Sequence, residues 1–219
     1  MQNVKHAIIA CAGYGSRLGL NKPKCLVEIN GRTLLSYLLE ILKDVEDVRI
    51  IIGFMEEEVI KEAVRINPQV VFIRNPDYRT TTNAYSVHLA TRDLTEPFIL
   101  LDGDMLIEKK SFQNFLRQTQ SQQNIIGVCA AKTQDAVFVE MDSKGQIIKF
   151  QRTNPTQFEW CGIACLSGIK INADGKYVFN EIEPHLPLPS FCFHCFEIDT
   201  PEDMELMVKG FPTLGYNDG

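Results

Sequence analysis

The chain has 219 residues, 45% hydrophobic and 23% charged, enough to bury one globular core under an ordinary surface. Its formal net charge of -6 argues against non-specific nucleic-acid binding, which needs a basic face. No apolar run reaches membrane-spanning length, and Ala7 to Ala12 is too short for a secretory core, so the reading is a cytoplasmic protein with no membrane partner.

The first half alternates strand-like and helix-like segments. Ala7 to Cys11 is a compact apolar run ending near glycines and reads as a buried strand. Leu34 to Lys43 has helical spacing and follows the turn Asn30-Gly31. Val48 to Ile52 is a β-branched strand, and Glu56 to Ile66 is a helix with acids at its dipole-favoured start. Val70 to Ile73 is a third strand, closed by Asn75-Pro76. A helix over Ala84 to Thr91, a strand over Phe98 to Leu101 and a helix over Glu108 to Gln118 complete this half.

The second half is richer in strands. They are Ile125 to Ala131, a hairpin of Val137 to Asp142 and Gln146 to Phe150 around Ser143-Lys144-Gly145, Trp160 to Leu166, and one strand from Phe191 to Ile198. A short acidic helix starts at Pro201, and the tail from Gly210 reads as frayed. Alternation with short connections implies an α/β fold, a Rossmann-like, mostly parallel sheet with helices on both faces. No linker or repeat divides it, so one domain over 1–219 is expected.

The seven cysteines are odd in number and scattered through apolar segments, which suggests reduced, buried thiols. Cys192-x-x-Cys195 has a zinc-like spacing, but within one strand the two thiols would face opposite ways. His6, His88 and His185 have no nucleophile at a recognisable elbow and receive no catalytic role.

The chemistry concentrates at Ala12-Gly13-Tyr14-Gly15-Ser16-Arg17-Leu18-Gly19, directly after the first strand. Such a turn lets backbone N–H groups approach phosphate oxygens. It is not a P-loop, lacking Gly-Lys-Ser/Thr, and it is not G-x-G-x-x-G, because Leu18 stands where the last glycine belongs. Arg17 lies inside the loop, and Lys22 and Lys24 follow, so a polyphosphate has cations to meet.

The stretch Ala10 to Gly31 resembles the signature of the sugar-phosphate nucleotidyltransferase superfamily: a glycine loop with Ser-Arg-Leu, then Pro-Lys, then an apolar segment ending in glycine. The resemblance implies a nucleotide-diphospho-sugar transferase type of fold, with a nucleotide-binding part over about 1–125 and a small β-rich acceptor part over about 126–209. It implies transfer of a nucleoside monophosphate from an NTP to a phosphorylated acceptor, with pyrophosphate released. Lys24 and Arg17 then become the catalytic candidates. Ala12, Gly13, Gly15, Ser16 and Asp102 become nucleotide-binding candidates.

Asp102-Gly103-Asp104 closes a buried strand, where α/β sheets bind ligands. Asp104 resembles the family's metal aspartate, with Asp199 its expected partner, Glu197 in reserve, and Mg²⁺ the implied ion. Alternation along a strand puts Glu197 and Asp199 on one face. Capping by Asp199 of the helix from Pro201 is the plainer alternative.

The run from Asn75-Pro76-Asp77-Tyr78 through Asn83 and Ser86 resembles bacterial phosphocholine cytidylyltransferases, as does Lys22-Pro23-Lys24-Cys25-Leu26. That branch favours CTP and carries over Thr82, Asn83 and Ser86 to the nucleotide, against helix capping alone. Phe158 to Ala164 resembles the acceptor-side strand, giving Glu159, Trp160 and Gly162. Glu159 would pair with an amine; Trp160 would face a quaternary ammonium or anchor the core. The compact second half implies a small acceptor such as phosphocholine or another phosphorylated amine or alcohol. Alternatives are a hexose-1-phosphate nucleotidylyltransferase using UTP, dTTP or GTP, and a non-catalytic nucleotide-binding module. A homodimer is left open.

Overall fold

A computed structural model describes residues 4–15, 18–132 and 136–216. In the first half β1 (His6–Ala10) is followed by a small hairpin, β2 (Glu28–Ile29) and β3 (Arg32–Thr33). Then come α1 (Leu34–Ile41), β4 (Asp47–Ile52), α2 (Glu56–Ile66), β5 (Val71–Arg74), α3 (Asn83–Thr91) and β6 (Phe98–Asp102). β7 (Met105–Ile107), α4 (Lys109–Thr119) and β8 (Ile125–Ala130) lead into the hairpin of β9 (Phe138–Met141) and β10 (Gln146–Gln151). β11 (Phe158–Leu166), α5 (Val178–Ile182), β12 (Leu188–Cys192), β13 (Cys195–Glu197) and α6 (Pro201–Gly210) complete the described chain.

One nine-stranded sheet runs β5-β4-β1-β6-β11-β8-β12-β10-β9. Its first four strands are parallel, as the βαβ spacing dictates. β11 joins antiparallel to β6, and the strand-rich half continues mainly antiparallel from there. Ile8 and Ile9 are both fully buried because helices cover both faces. Ile9 packs with residues of α1, α2 and α4, and Ile8 with residues of α3 and α5. A third cluster joins Leu34, Tyr37, Leu106, Ile198 and Met207 beneath α6.

Two expectations are corrected. The strand expected over Phe191 to Ile198 is two strands in different sheets: β12 lies parallel to β8, and β13 pairs antiparallel with β7. The chain changes partner at Phe193 and His194. Phe193 buries its ring against Phe115, its N–H donates to Val128 O at 2.7 Å, and His194 O accepts from Glu108 N at 2.9 Å. Cys192 is therefore exposed while Cys195 is buried, and alternation along one strand does not relate them. The tail is also ordered beyond Gly210: Tyr216 is buried and its hydroxyl donates to Ile107 O at 2.7 Å.

Candidate active site

β1 is the switch point of the parallel half. β4 and β5 lie on one side of it and β6 on the other, with Ala10 in register with Asp102. Loops leaving the carboxyl ends of β1 and β6 therefore diverge and open a crevice between them. The glycine loop leaves β1 there, and Gly103 and Asp104 leave β6.

Lys24 begins a 3-10 turn whose next two residues, Cys25 and Leu26, are buried. Anchoring those side chains in the core turns Lys24 toward the crevice. Its stem passes under Gly15: a Cβ there would lie 3.1 Å from Lys24 Cγ, and Gly15 has φ +61°. Lys24 Nζ donates to Asp104 Oδ2 at 2.7 Å and also to Asp199. Burial alone would lower the lysine's pKa, but the two carboxylates outweigh it and the net shift is upward. The ammonium is thus held charged in a largely enclosed place.

Asp104, Glu197 and Asp199 each offer a carboxylate oxygen within 4.8 Å of the others. The backbone binds the two segments together, because Ile198 N donates to Asp104 O at 3.1 Å. Lys24 takes only one oxygen of Asp104. The other, Oδ1, is buried and finds no hydrogen-bond partner among the described residues. An orphaned carboxylate oxygen in a three-carboxylate group fits a hard divalent cation with oxygen ligands. Glu197 opens to solvent at the edge of the crevice, yet low-dielectric surroundings push its carboxyl well up, helped by Asp104, Asp102 and Asp199. Burial likewise pushes Asp102 up to about 7, with Asp104 adding to the shift and Lys24 opposing it.

Cavities lie beside this group. One, of about 300 Å³, is lined by Gly13, Tyr14, Gly15, Lys24 and Asp104. The other, of about 230 Å³, lies toward the strand-rich half and takes Asp102, Glu159, Trp160, Gly162, Glu197 and Asp199 into its wall. Gly162 sits at an irregularity in the β8–β11 pairing with φ +71°; a Cβ there would come within 2.3 Å of Asp102 Oδ2. Glycine leaves that space to the carboxylate.

The remaining candidates fall in different places. Ser16 and Arg17 lie outside the described residues. Ala12 is buried and its carbonyl accepts from Phe54 N at 3.2 Å. Thr82 caps α3 by accepting from Tyr85 N and donates to Gly175 O at 2.7 Å. Ser86 is buried and accepts from Asn75 Nδ2 at 2.9 Å. These two hydroxyls serve the fold around α3, while Asn83 reaches the second cavity. Asp199 does not cap α6; Thr200 does, in a capping box with Asp203.

Sequence reasoning missed Lys132, Arg152, Tyr177 and Phe179, which also line the second cavity. Lys132, Arg152 and Tyr177 sit in three separate loops and Phe179 in α5, and they share no spacing that a motif would register. It also missed a latch on the glycine loop. Tyr14 packs edge-on against Phe54, and the Arg79 guanidinium stands 5.7 Å from the ring centres of both Tyr14 and Tyr78.

This topology, with a lysine and carboxylates at its switch point, defines a protein of the nucleotidyltransferase class. More specifically, the chain belongs to the MobA-like NTP transferase domain family, whose model matches residues 7–174. A choline-phosphate cytidylyltransferase from Streptococcus pneumoniae is 33% identical over 118 residues, covering 52% of this chain and 50% of that protein. A CMP-5'-(3-aminopropyl)phosphonate synthase from Streptomyces rubellomurinus is 35% identical over 109 residues, 47% of this chain and 17% of that protein. The matches thus span half or less of these curated relatives. The solved structure of the CTP:phosphocholine cytidylyltransferase from Streptococcus pneumoniae shares the fold with a TM-score of 0.77 at 21% identity, over 96% of this chain and 100% of that one. The inositol-1-phosphate CTP transferase from T. maritima does so with a TM-score of 0.76 at 16% identity, over 92% of each chain. The resemblance read from the glycine loop is borne out. Among the described residues no helix is long and apolar enough to cross a membrane.

Proposed function

We propose that this chain transfers CMP from CTP to a small phosphorylated amine or alcohol and releases pyrophosphate. The observation that carries the reading is Lys24, held between Asp104 and Asp199 at the switch point and beside the glycine-loop cavity. The choice of CTP draws support from the two cytidylyl-forming relatives.

In this reading the triphosphate lies along the glycine loop, and the acceptor enters the cavity of Glu159 and Trp160. An acceptor phosphate oxygen attacks the α-phosphorus. The bond from that phosphorus to the bridging oxygen breaks, and the electron pair leaves with pyrophosphate. A phosphate monoester is already largely ionised near neutral pH (second pKa roughly 6), so no strong base is needed. Catalysis rests on positioning and charge. Lys24 stabilises the charge that develops on the α-phosphate, and Arg17 is the loop cation assigned to pyrophosphate. Among the described residues, Lys132 and Arg152 are the cations that offset five carboxylates in the wall as a phosphate dianion enters. Asp104 and Asp199, with Glu197, would hold Mg²⁺, which supplies Lewis-acid neutralisation of phosphate charge when bound. Both halves of the chain act as one unit in this reading, because β11 continues the β6 edge and carries the acceptor wall.

The test is pyrophosphate release with each of four NTPs against a panel of small phosphorylated acceptors and hexose 1-phosphates. CTP with a small amine or alcohol phosphate is the expected pair. Turnover only with hexose 1-phosphates would move the chain to the hexose branch, and release with none would leave a binding module. Lys24→Ala should lower kcat by about 10²–10³ while the circular dichroism spectrum is unchanged. Near-normal turnover in that variant overturns the assignment.

A further inference from the structure

Two cavities meet at Lys24. The ammonium donates to Asp104 Oδ2 at 2.7 Å and to Asp199. Lys24 and Asp104 line the glycine-loop cavity, whereas Asp199 and Glu197 line the other. Lys24 thus ties together the two walls between which a nucleotide phosphate and an acceptor phosphate would have to meet. Asp104 and Asp199 are also two of the three carboxylates whose oxygens gather within 4.8 Å. The lysine therefore sits on the very groups that suit a divalent cation.

It is an incomplete substitute for one. An ammonium brings one charge and three N–H donors. Set among three carboxylates, it leaves Asp104 Oδ1 buried with no hydrogen-bond partner among the described residues. A divalent cation brings twice the charge and takes several oxygens at once. At this range it repels the ammonium, so the two compete for the same carboxylates. The ammonium also has an alternative place. Burial of Cys25 and Leu26 pins the backbone after Lys24, but a lysine head swings on a four-carbon stem. That stem lies under Gly15, with Lys24 Cγ 3.1 Å from where a Cβ would stand, beside the cavity assigned to the triphosphate. Phosphate oxygens there offer charge-assisted hydrogen bonds in exchange for those the ammonium gives up.

Resting on the metal-assisted transfer proposed above, we propose that Lys24 is also a positioning residue for the metal group: its ammonium holds Asp104 and Asp199 in place of the divalent cation until nucleotide phosphates draw it into the glycine-loop cavity. The metal alone is then a weak ligand, and metal and nucleotide favour each other's binding through the movement of one side chain. The carboxylates stay gathered throughout, because one cation or the other always stands among them.

The experiment titrates Mn²⁺ into the protein without nucleotide, reading free Mn²⁺ by its electron paramagnetic resonance signal. Lys24→Met should bind Mn²⁺ at least about 10-fold more tightly than the native chain. Lys24→Arg, which keeps the charge, should show no such gain. Lys22→Met removes the same charge from a lysine that pairs with Glu28 at 3.7 Å instead, and its affinity should stay within about 2-fold of native. Thermal melts supply a second reading: Lys24→Met should melt lower than native without metal and recover as Mn²⁺ is added.

Unchanged Mn²⁺ affinity in Lys24→Met overturns the inference, and equal gains in Lys24→Met and Lys22→Met overturn it by reducing the effect to net charge. Should Lys24→Met fail to fold, Lys24→Gln, which keeps an N–H donor for Asp104, is titrated in its place. Failure of both to melt cooperatively at any Mn²⁺ concentration also overturns it, because the metal is then no replacement for the ammonium. Pyrophosphate release by the native chain judges the proposed reaction separately, so either can fail while the other stands.

Discussion

At the scale of single residues, Gly15 and Gly162 show how backbone shape controls the site. Gly15 has a positive φ and lies against the stem of Lys24. A Gly15→Ala change adds about 1 kcal/mol of left-handed strain and presses on the lysine that carries the proposed chemistry. The expected outcome is a fall in kcat well beyond the small loss in Tm, read from turnover and thermal melts of the same preparation. Gly162→Ala meets the Asp102 carboxylate instead. Its effect should appear mainly as raised acceptor KM. Lys24, Asp104 and the glycine loop were legible in the sequence because each lies within a short run whose spacing follows from one strand-to-loop turn. Lys132, Arg152 and Tyr177 were not, because only packing of distant segments makes them neighbours. Thr82 and Ser86 were visible as polar residues, but sequence cannot tell a hydroxyl that meets ligand from one that meets Gly175 O or Asn75.

At the scale of elements, the segment from β12 to α6 brings two carboxylates to the crevice through unlike local structures. Glu197 ends β13, opposite Met105 of β7, and Asp199 stands just before the Thr200 cap of α6. The apolar run from Phe191 to Ile198 read as one strand because hydrophobic periodicity does not register a change of partner strand. The signal that existed was Phe193-His194, where the chain leaves one sheet for another. The helix start at Pro201 was legible, but its cap was read as Asp199, one residue before the Thr200 that closes the capping box with Asp203. Thr200→Ala removes the acceptor for Asp203 N at 3.2 Å. It should cost about 1 kcal/mol, or about 2–4 °C in Tm for a chain of this size. Because α6 begins beside Asp199, the apparent affinity for Mg²⁺ should weaken as well, measured as the metal concentration giving half-maximal turnover. An unchanged melt would mean that Asp203 holds the turn without the hydroxyl.

At the scale of the molecule, charged ties join the layers at places remote from the crevice. Asp47, at the start of β4, accepts from His6 of β1 at 2.7 Å and from Arg49 Nε at 2.8 Å; Arg49 also donates to Ala90 O in α3. Burial alone would raise the Asp47 pKa, but the His6 and Arg49 contacts prevail and hold it below the usual carboxylate range. Glu40 is treated alike: burial opposes, and Lys109 and Arg32 prevail. A lowered carboxylate pKa stabilises the fold above the unfolded value, and that contribution disappears as pH falls through the folded value. Stability should therefore decline from about pH 5 downward. The double variant Asp47→Asn, Glu40→Gln should melt lower at pH 7 and show a shallower acid slope. Equal slopes in both proteins would remove these ties from the explanation. The α/β class and the division into a parallel and a strand-rich half were readable from the order of elements. The continuity of one sheet across both halves was not, because the β6–β11 pairing joins residues some sixty positions apart.

The same strand that joins the halves carries the chain's one tryptophan, Trp160, into the wall of the second cavity. Indole emission excited at the red edge of protein absorbance therefore originates from a single place. With Phe150 and Phe179 as its aromatic neighbours, a shift in wavelength or a quench reports what enters that cavity, with no added label. The protein is in this sense supplied with its own optical probe, placed in the cavity that the proposed acceptor would enter.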